Sequence, residues 1–428
     1  MLANSNAERC RVTTAASGAD TVSSLWSADA TWRALNADVA RVREARLSVR
    51  VVKTADELLP YVQRWQALAA SALEPNVFYE PWQVMPGLQA LNDVPRLELM
   101  LVLDEASEPP SLCGVFPLER SANYRGLPLP SLRMWQHKYV FLCTPLVSRN
   151  HAHGTLHSFL TWLASPQANC EVLSLQSMRA DGPFAGVLKL ALDDLKRPHF
   201  QEGRFDRALL EVDAAQDSRA YLDGALSKKK TKEYRRLVQR LGEQGNMRFD
   251  RLLPGADVQS WLDEFLGLEA SGWKGREGSA FASTEPDRRY FTEVITQAHA
   301  RGRLGLFALR LDGVAVAMKC NFIGPDGAWS FKIGFEEKYA KYSPGVLLEL
   351  ENIRSAFDEP SFPWMDSCAK PDHSMIDHLW RSGRTIETCV IAGGGWRGKR
   401  LVSWLPALLH VKRKLQGKCA KSSKETPS

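Results

Sequence analysis

Two short stretches carry the residues best suited to chemistry. The first is Ser343-Pro344-Gly345, between an alternating apolar run (Trp329, Phe331, Ile333, Phe335) and a stripe at helical spacing (Val346, Leu347, Leu350, Ile353, Phe357). Proline at the first helical position leaves the opening N–H groups unpaired, and glycine lets an anion approach the backbone. With the helix dipole added, this is a site for a phosphate group. The alternative is a capping turn with an ordinary first-turn proline. The second stretch holds Asp366, Cys368, Asp372 and His373 within eight residues. His373 is of a residue type that serves as a general base, and Asp372 beside it could orient the ring; equally, His373 could open a helix with a local hydrogen bond, and Asp366 could cap the turn after it. Cys368 reads as an acyl-accepting nucleophile or as a small core residue.

These residues need elements to hold them. The pattern predicts a hairpin, Leu304–Leu311 and Val314–Phe322, turned at Asp312-Gly313, where the glycine supplies the positive φ of a two-residue turn. A strand over Trp329–Phe335 follows, treated as having one buried face, then a helix from Pro344. Beyond them come a short strand at Pro363–Cys368, a short helix at His373–Trp380, and a strand at Thr385–Ile391 stopped by Gly393-Gly394-Gly395. No GxGxxG or GxxxxGK[ST] is present, which disfavours a Rossmann dinucleotide site and a nucleotide-hydrolysing P-loop.

This order, with Lys228–Gly245 (KKKTKEYRRLVQRLGEQG), Ser271-Gly272-Trp273-Lys274-Gly275, Leu311–Ala317 and Tyr339–Gly345, resembles the CelD-like GNAT acetyltransferases of cellulose and other exopolysaccharide synthesis. Those are relatives of the FemABX peptidoglycan aminoacyltransferases. The chain departs from the resemblance after the strand at Pro363, where Asp366-Ser367-Cys368 and Asp372-His373 replace the acidic-glycine and "yK..w" patterns. The resemblance implies an α/β fold of tandem GNAT-like domains, mixed sheets flanked by helices, and acyl transfer from acetyl-CoA or another acyl-CoA to an amine or hydroxyl. It further implies cofactor contacts at Lys332, Gly334, Tyr342, Ser343, Pro344 and Gly345. Trp273, Lys274 and Trp380 are expected near the acceptor, with Lys274 also a candidate for phosphate. Asp366, Asp372 and His373 are the candidate catalytic groups, since the acceptor must lose a proton. A backbone N–H where the strands at Trp329 and Pro363 part would polarise the thioester carbonyl.

The first half repeats the pattern. A hairpin-like pair, Leu97–Val102 and Cys113–Leu118, is followed by a strand-like run Tyr139–Cys143, a helix-like run Leu156–Leu163, and Glu171–Leu175 as the counterpart of Pro363–Cys368. The expected division is a mobile tail and lead-in helix over 1–46, a GNAT-like domain over 47–210 without cofactor, a GNAT acetyltransferase domain over 211–415, and a disordered basic tail over 416–428. The first strand is expected at Leu47–Val52.

The chain has 428 residues, 44% apolar and 24% charged, a globular composition that suits two domains. It lacks a run of eighteen apolar residues and a basic-then-apolar leader, which predicts a cytoplasmic protein. Eight scattered cysteines without CxxC pairs argue for reduced thiols and against zinc. His151, His153 and His157 suggest a metal only superficially, since no carboxylate or thiolate accompanies them, and no metal is expected.

The net charge of +6 is concentrated at Lys228, Lys229, Lys230, Lys232, Arg235, Arg236 and Arg240, a solvated face or a surface for an anionic partner. No aromatic residues interleave there as in a nucleic-acid groove, so nucleic acid is disfavoured and a small-molecule or glycan-precursor acceptor is expected. Trp404–Leu415 reads as a basic amphipathic helix, either a packing element or a peripheral membrane contact. Two alternatives to acyl-CoA chemistry stand: an aminoacyltransferase using charged tRNA, and a non-catalytic scaffold in exopolysaccharide assembly.

Overall fold

Leucines at 97, 99, 101 and 103 interleave with Met100 and Val102, so both faces of this stretch are apolar, and every residue from Leu97 to Asp104 is buried. Such a strand needs cover on both sides, and helices supply it. A computed structural model describes residues 46–409 other than 92–96, 374 and 408. The expected tails and lead-in helix, and most of the expected helix at Trp404–Leu415, lie outside those residues.

In chain order the strands are β1 (Leu47–Val52), β2 (Leu97–Asp104), β3 (Ser111–Ser121), β4 (Ser131–Met134), β5 (Leu146–Val147), β6 (Val172–Arg179), β7 (His199–Glu211), β8 (Met247–Arg251), β9 (Leu304–Leu311), β10 (Val314–Ile323), β11 (Ala328–Phe335), β12 (Trp364–Asp366) and β13 (Ser382–Ala392). The helices used below are α1 (Ala152–Leu163), α2 (Lys228–Gly242), α3 (Val258–Ser271), α4 (Trp273–Arg276), α5 (Glu285–Ala300) and α6 (Pro344–Asp358).

One mixed sheet runs β1-β2-β3-β4-β6-β13-β7-β12-β11-β10-β9-β8, with β5 paired to β3 off this path. Its two ends are built alike. Strands β1 to β4 are antiparallel neighbours and β4 lies parallel to β6; β8 to β11 are antiparallel neighbours and β11 lies parallel to β12. The last strand of each series crosses to the other: β13 pairs with β6, β7 pairs with β12, and β7 and β13 pair with each other at the centre. The repeated pattern read in the sequence thus corresponds to two copies of one strand order within a single continuous sheet.

Sequence and structure part company in three places. Tyr139–Cys143 is not a strand; the counterpart of β11 is β4, eight residues earlier. The run is apolar enough to read as extended. Side chains rather than a neighbouring strand take much of its backbone: Asn76 Nδ2 donates to the carbonyls of Leu142 and Thr144, and Arg207 donates to that of Phe141. The expected helix over His373–Trp380 shrinks to a single 3-10 turn at Ile376–His378. The third difference is in β11. Cys320 pairs with Lys332 and Asn321 with Ser330, so Phe331 is an extra, bulged residue. Simple alternation breaks there. Trp329 and Phe331 pack into one core cluster and Phe335 against another, so the four residues do not share one face. The Asp312-Gly313 turn of the hairpin has φ of 49° and 83°, the left-handed pair a two-residue turn requires.

Candidate active site

Beyond Trp329 and Asp366 the parallel pairing of β11 and β12 ends, and β11 continues to Phe335 without β12 beside it. A groove lies along this part of β11, lined by Leu268, Glu269, Gly272, Trp273, Lys274, Ile333, Gly334 and Phe335. Its floor is strand and its wall is the end of α3 and the start of α4. The Trp273-Lys274 element and Gly334, far apart in sequence, therefore meet here. Gly345 borders the same place, since a Cβ on it would lie 3.6 Å from both Ile333 Cδ1 and Phe335 Cδ1.

The wall is held by charge. Lys274 Nζ donates to Glu269 Oε1 and to the Ile333 carbonyl, each at 2.9 Å, and Glu269 is buried. Lys274 is thus tied to β11 instead of standing free for a phosphate. Glu337 Oε1 accepts from the Trp273 N–H at 2.6 Å and from Arg276 at 2.9 Å, fastening α4 to the turn before α6. The Trp273 side chain stays 46% exposed at the mouth of the groove.

At the start of α6, Ser343 takes a left-handed conformation (φ 52°) and Pro344 occupies the first helical position. Val346 and Leu347 both donate to the Ser343 carbonyl. Gly345 is left as the residue whose N–H has no acceptor among the described residues, so the turn offers one clear backbone donor at the positive end of the dipole. Tyr342 is buried beneath it, with Lys341 Nζ 5.0 Å from its ring centroid.

Lys332 is placed differently. The bulge turns it to the side of Phe331, away from Gly345, and its ammonium stands 5.1–5.8 Å from the ring centroids of Tyr139, Phe141, Phe281 and Phe331. Two of these rings come from the first half of the chain. Among the described residues no carboxylate forms an ion pair with it. Desolvation, reinforced by the positive charges of Lys274 and Lys138, lowers its pKa to about 8. No motif singles out this environment. The bulge and the two distant aromatic segments that create it appear only in the folded chain.

The acidic cluster separates. Asp366 is fully buried: Arg384 reaches Oδ2 at 3.0 Å, Arg207 reaches Oδ1 at 3.5 Å, and the Cys368 N–H donates to Oδ1 at 2.8 Å. Burial alone would raise its pKa, but the two guanidiniums and the N–H outweigh it and hold the carboxyl below the usual range. A carboxylate so stabilised is a weak base. Asp372 and His373 are exposed, and His373 Nδ1 accepts from the Ile376 N–H at 3.4 Å, the local contact of a turn-opening histidine. Burial, reinforced by the Asp366 charge, pushes the Cys368 thiol well above its ordinary value, so it stays protonated.

Trp380 lies beneath α6, its Nε1 donating to Glu349 Oε1 at 3.1 Å. It belongs to a buried polar network that sequence reading missed. Glu349 pairs with Lys319 at 2.7 Å and accepts from Asn352, which in turn accepts from Asn321. In the first half, His153 is paired with Asp194 at 2.8 Å. Among the described residues no group of three His, Cys, Asp or Glu could hold a metal.

Residues 228–373 match a family model described as an acetyltransferase (GNAT) domain. Among solved structures, the chain is similar to FemX, with a TM-score of 0.51 and 9% identity over 81% of this chain and 98% of that one. It is also similar to the C-terminal domain of a putative lysylphosphatidylglycerol synthetase from Agrobacterium fabrum (TM-score 0.47, 14% identity, 82% of this chain and 96% of that one). A tandem GNAT protein from the clavulanic acid biosynthesis pathway matches over 82% of this chain and 99% of its own length, with a TM-score of 0.40 and 15% identity. No curated protein sequence matches the chain significantly. Residues 228–373 are thus similar to a GNAT acetyltransferase domain, and they lie within an α/β fold, a mixed sheet flanked by helices, that resembles the fold of FemX.

Proposed function

We propose that this protein moves an acyl group from an acyl-CoA to an amine or hydroxyl of a small or glycan-precursor acceptor, with the thioester held by the second half of the chain, residues 211–415. The observation that carries this reading is the parting of β11 from β12 beside a groove lined by Ile333 and Phe335, the same residues that Gly345 packs against at the start of α6. An amide-containing arm can pair with a free strand edge as another strand would. A phosphate is favoured at the Gly345 N–H, at the positive end of α6. Gly345 itself is buried, its Cβ position in ordinary contact with Ile333 and Phe335, so a phosphate would have to reach its N–H from the side of the Ser343 turn.

In this reading Lys332 is the proton carrier. Its neutral amine takes the proton from the acceptor as the new C–N or C–O bond forms and the thioester C–S bond breaks. The resulting ammonium returns that proton to the CoA thiolate, so the lysine ends as it began. A pKa near 8 leaves a useful neutral fraction at mildly alkaline pH. His373 is the rival base, and His373→Ala separates the two: near-normal turnover favours Lys332, and a collapse of turnover with acyl-CoA affinity intact favours the histidine.

The decisive experiment is calorimetry with acetyl-CoA. Saturable binding that weakens in Gly345→Asp supports the assignment; no binding to acetyl-CoA or a longer acyl-CoA overturns it. A second reading, aminoacyl transfer from charged tRNA, is favoured by one observation. On α2 only Lys230 forms an ion pair, with Glu233 at 3.1 Å, while Lys228, Lys229, Lys232, Arg235, Arg236 and Arg240 have no acidic partner among the described residues. A phosphate-rich donor fits such a face. Product formation from aminoacyl-tRNA but not from acyl-CoA would establish it.

A further inference from the structure

The helical segment at 396–409 has two unlike sides. Its inner side is seated on the sheet, with Val402 buried and Leu401, Leu405 and Leu409 packed against a cluster that includes Val172, Phe200 and Val390. The packing of this helix on its own protein is therefore already accounted for. Its outer side nevertheless carries two indoles, Trp396 at 66% and Trp404 at 69% exposure. At 100° per residue these lie about 80° apart on one half of the helix, with Arg400 between them. Arg397, Lys399 and Arg400 are all exposed, and the Arg400 guanidinium stands 5.2 Å from the Trp396 ring centroid. Arg397 donates to the Pro128 carbonyl, which brings the turn bearing exposed Leu127 beside the helix.

Charge here has one sign. No Asp or Glu occurs from Thr388 to Lys424, while nine Lys and Arg do. Glu171 is turned to the helix start, where it accepts from the Gly398 N–H, and Glu202 is paired with Arg125. Among the described residues no helix is long and apolar enough to cross a membrane.

We propose that this outer face docks in the plane of an anionic lipid bilayer. Indoles partition to the boundary between headgroups and acyl chains, and arginine and lysine beside them pair with anionic headgroups. The face is a convex helix, which suits a flat surface; a single nucleic-acid strand would need a groove to follow. The placement is independent of the acyl-transfer reading.

The test is co-sedimentation of the full chain with phosphatidylcholine vesicles, with and without phosphatidylglycerol. Binding is expected only with the anionic lipid. It should fall about tenfold or more in Trp396→Ser/Trp404→Ser and in Arg397→Glu/Lys399→Glu/Arg400→Glu. All five positions are exposed, so the fold should persist in both variants, and circular dichroism checks it. Charge reversal on α2, Lys228→Glu/Lys229→Glu/Lys232→Glu, should leave vesicle binding in place. The proposal fails if the chain ignores anionic vesicles or binds neutral ones equally well. It also fails if the tryptophan variant binds as wild type, which would hand the role to the basic residues beyond 409. Loss of tRNA binding rather than vesicle binding in the same variants would make the face a nucleic-acid surface instead.

Discussion

The sheet contains the same junction twice, where a parallel pair of strands begins and then parts, and the two junctions are finished differently. In the first half, Gln176 of β6 reaches across to β4, accepting from the Met134 N–H and donating to its carbonyl. The segment after β4 then fills the opening: Trp135, Tyr139, Val140, Leu142 and Cys143 are all buried, and the Cys143 N–H donates to the Ser177 carbonyl. In the second half the corresponding edge of β11 borders a groove, and one side chain, Lys274, reaches its Ile333 carbonyl.

The helices that follow differ in the same sense. α1 packs by shape, with Phe159 stacked on Phe116 at 4.0 Å and the helix so close to β3 that a Cβ on Gly114 would come within 2.6 Å of Thr155. α6 covers a buried ion pair and two asparagines. The comparison teaches that a strand order can be duplicated while its junction is filled by side chains in one copy and bordered by a groove in the other.

Replacement of Lys332 should break this contrast most severely. Lys332→Met removes the amine but keeps an apolar chain among the four rings, so the fold should hold. Turnover should drop by about 10²–10⁴-fold, the usual range for loss of a positioned proton carrier. The sign of the pH dependence follows from the neutral amine being active. Wild-type turnover should rise as pH passes through about 8 and level off above it, and the variant should lose that rise. A variant with an unchanged profile would remove Lys332 from the mechanism.

The next effect is on stability. Lys319 and Glu349 are 1% and 0% exposed, and Lys319→Met strands a buried carboxylate, at a cost of about 3–5 kcal/mol in urea unfolding. In Gly345→Asp the Cβ meets Ile333 and Phe335 at ordinary contact distance, so calorimetry on the folded variant should show weaker acyl-CoA binding by about tenfold or more, roughly 1.4 kcal/mol, with a melting curve as the check that the buried position tolerates the carboxylate. The smallest effect belongs to the closed junction. Gln176→Ala should cost about 1 kcal/mol of stability and leave acyl-CoA affinity untouched. A large loss of affinity there would show that the first junction takes part in binding and would erase the contrast.

Local patterns sufficed for elements whose cause is local. The limits of β9 and the start of β10 follow from the Asp312-Gly313 turn, β1 from Leu47–Val52, and the opening of α6 from Pro344, because each is fixed by residues in direct succession. The order from β9 to β13 was legible for the same reason, but β4 was not, since the apolar run Tyr139–Cys143 imitates the strand that β4 supplies. What only the tertiary structure decided are features made by distant partners. The bulge at Phe331 depends on the register of β10, and it alone sends Lys332 toward rings contributed by Tyr139 and Phe141. Asp366 reads as a candidate base beside Cys368 and His373; two arginines from β7 and β13, strands that cross between the halves, hold its carboxyl below the usual range and make it an anchor for them. A sequence displays which groups can ionise, but the charge they carry is set by desolvation and by neighbours brought together only when the sheet closes.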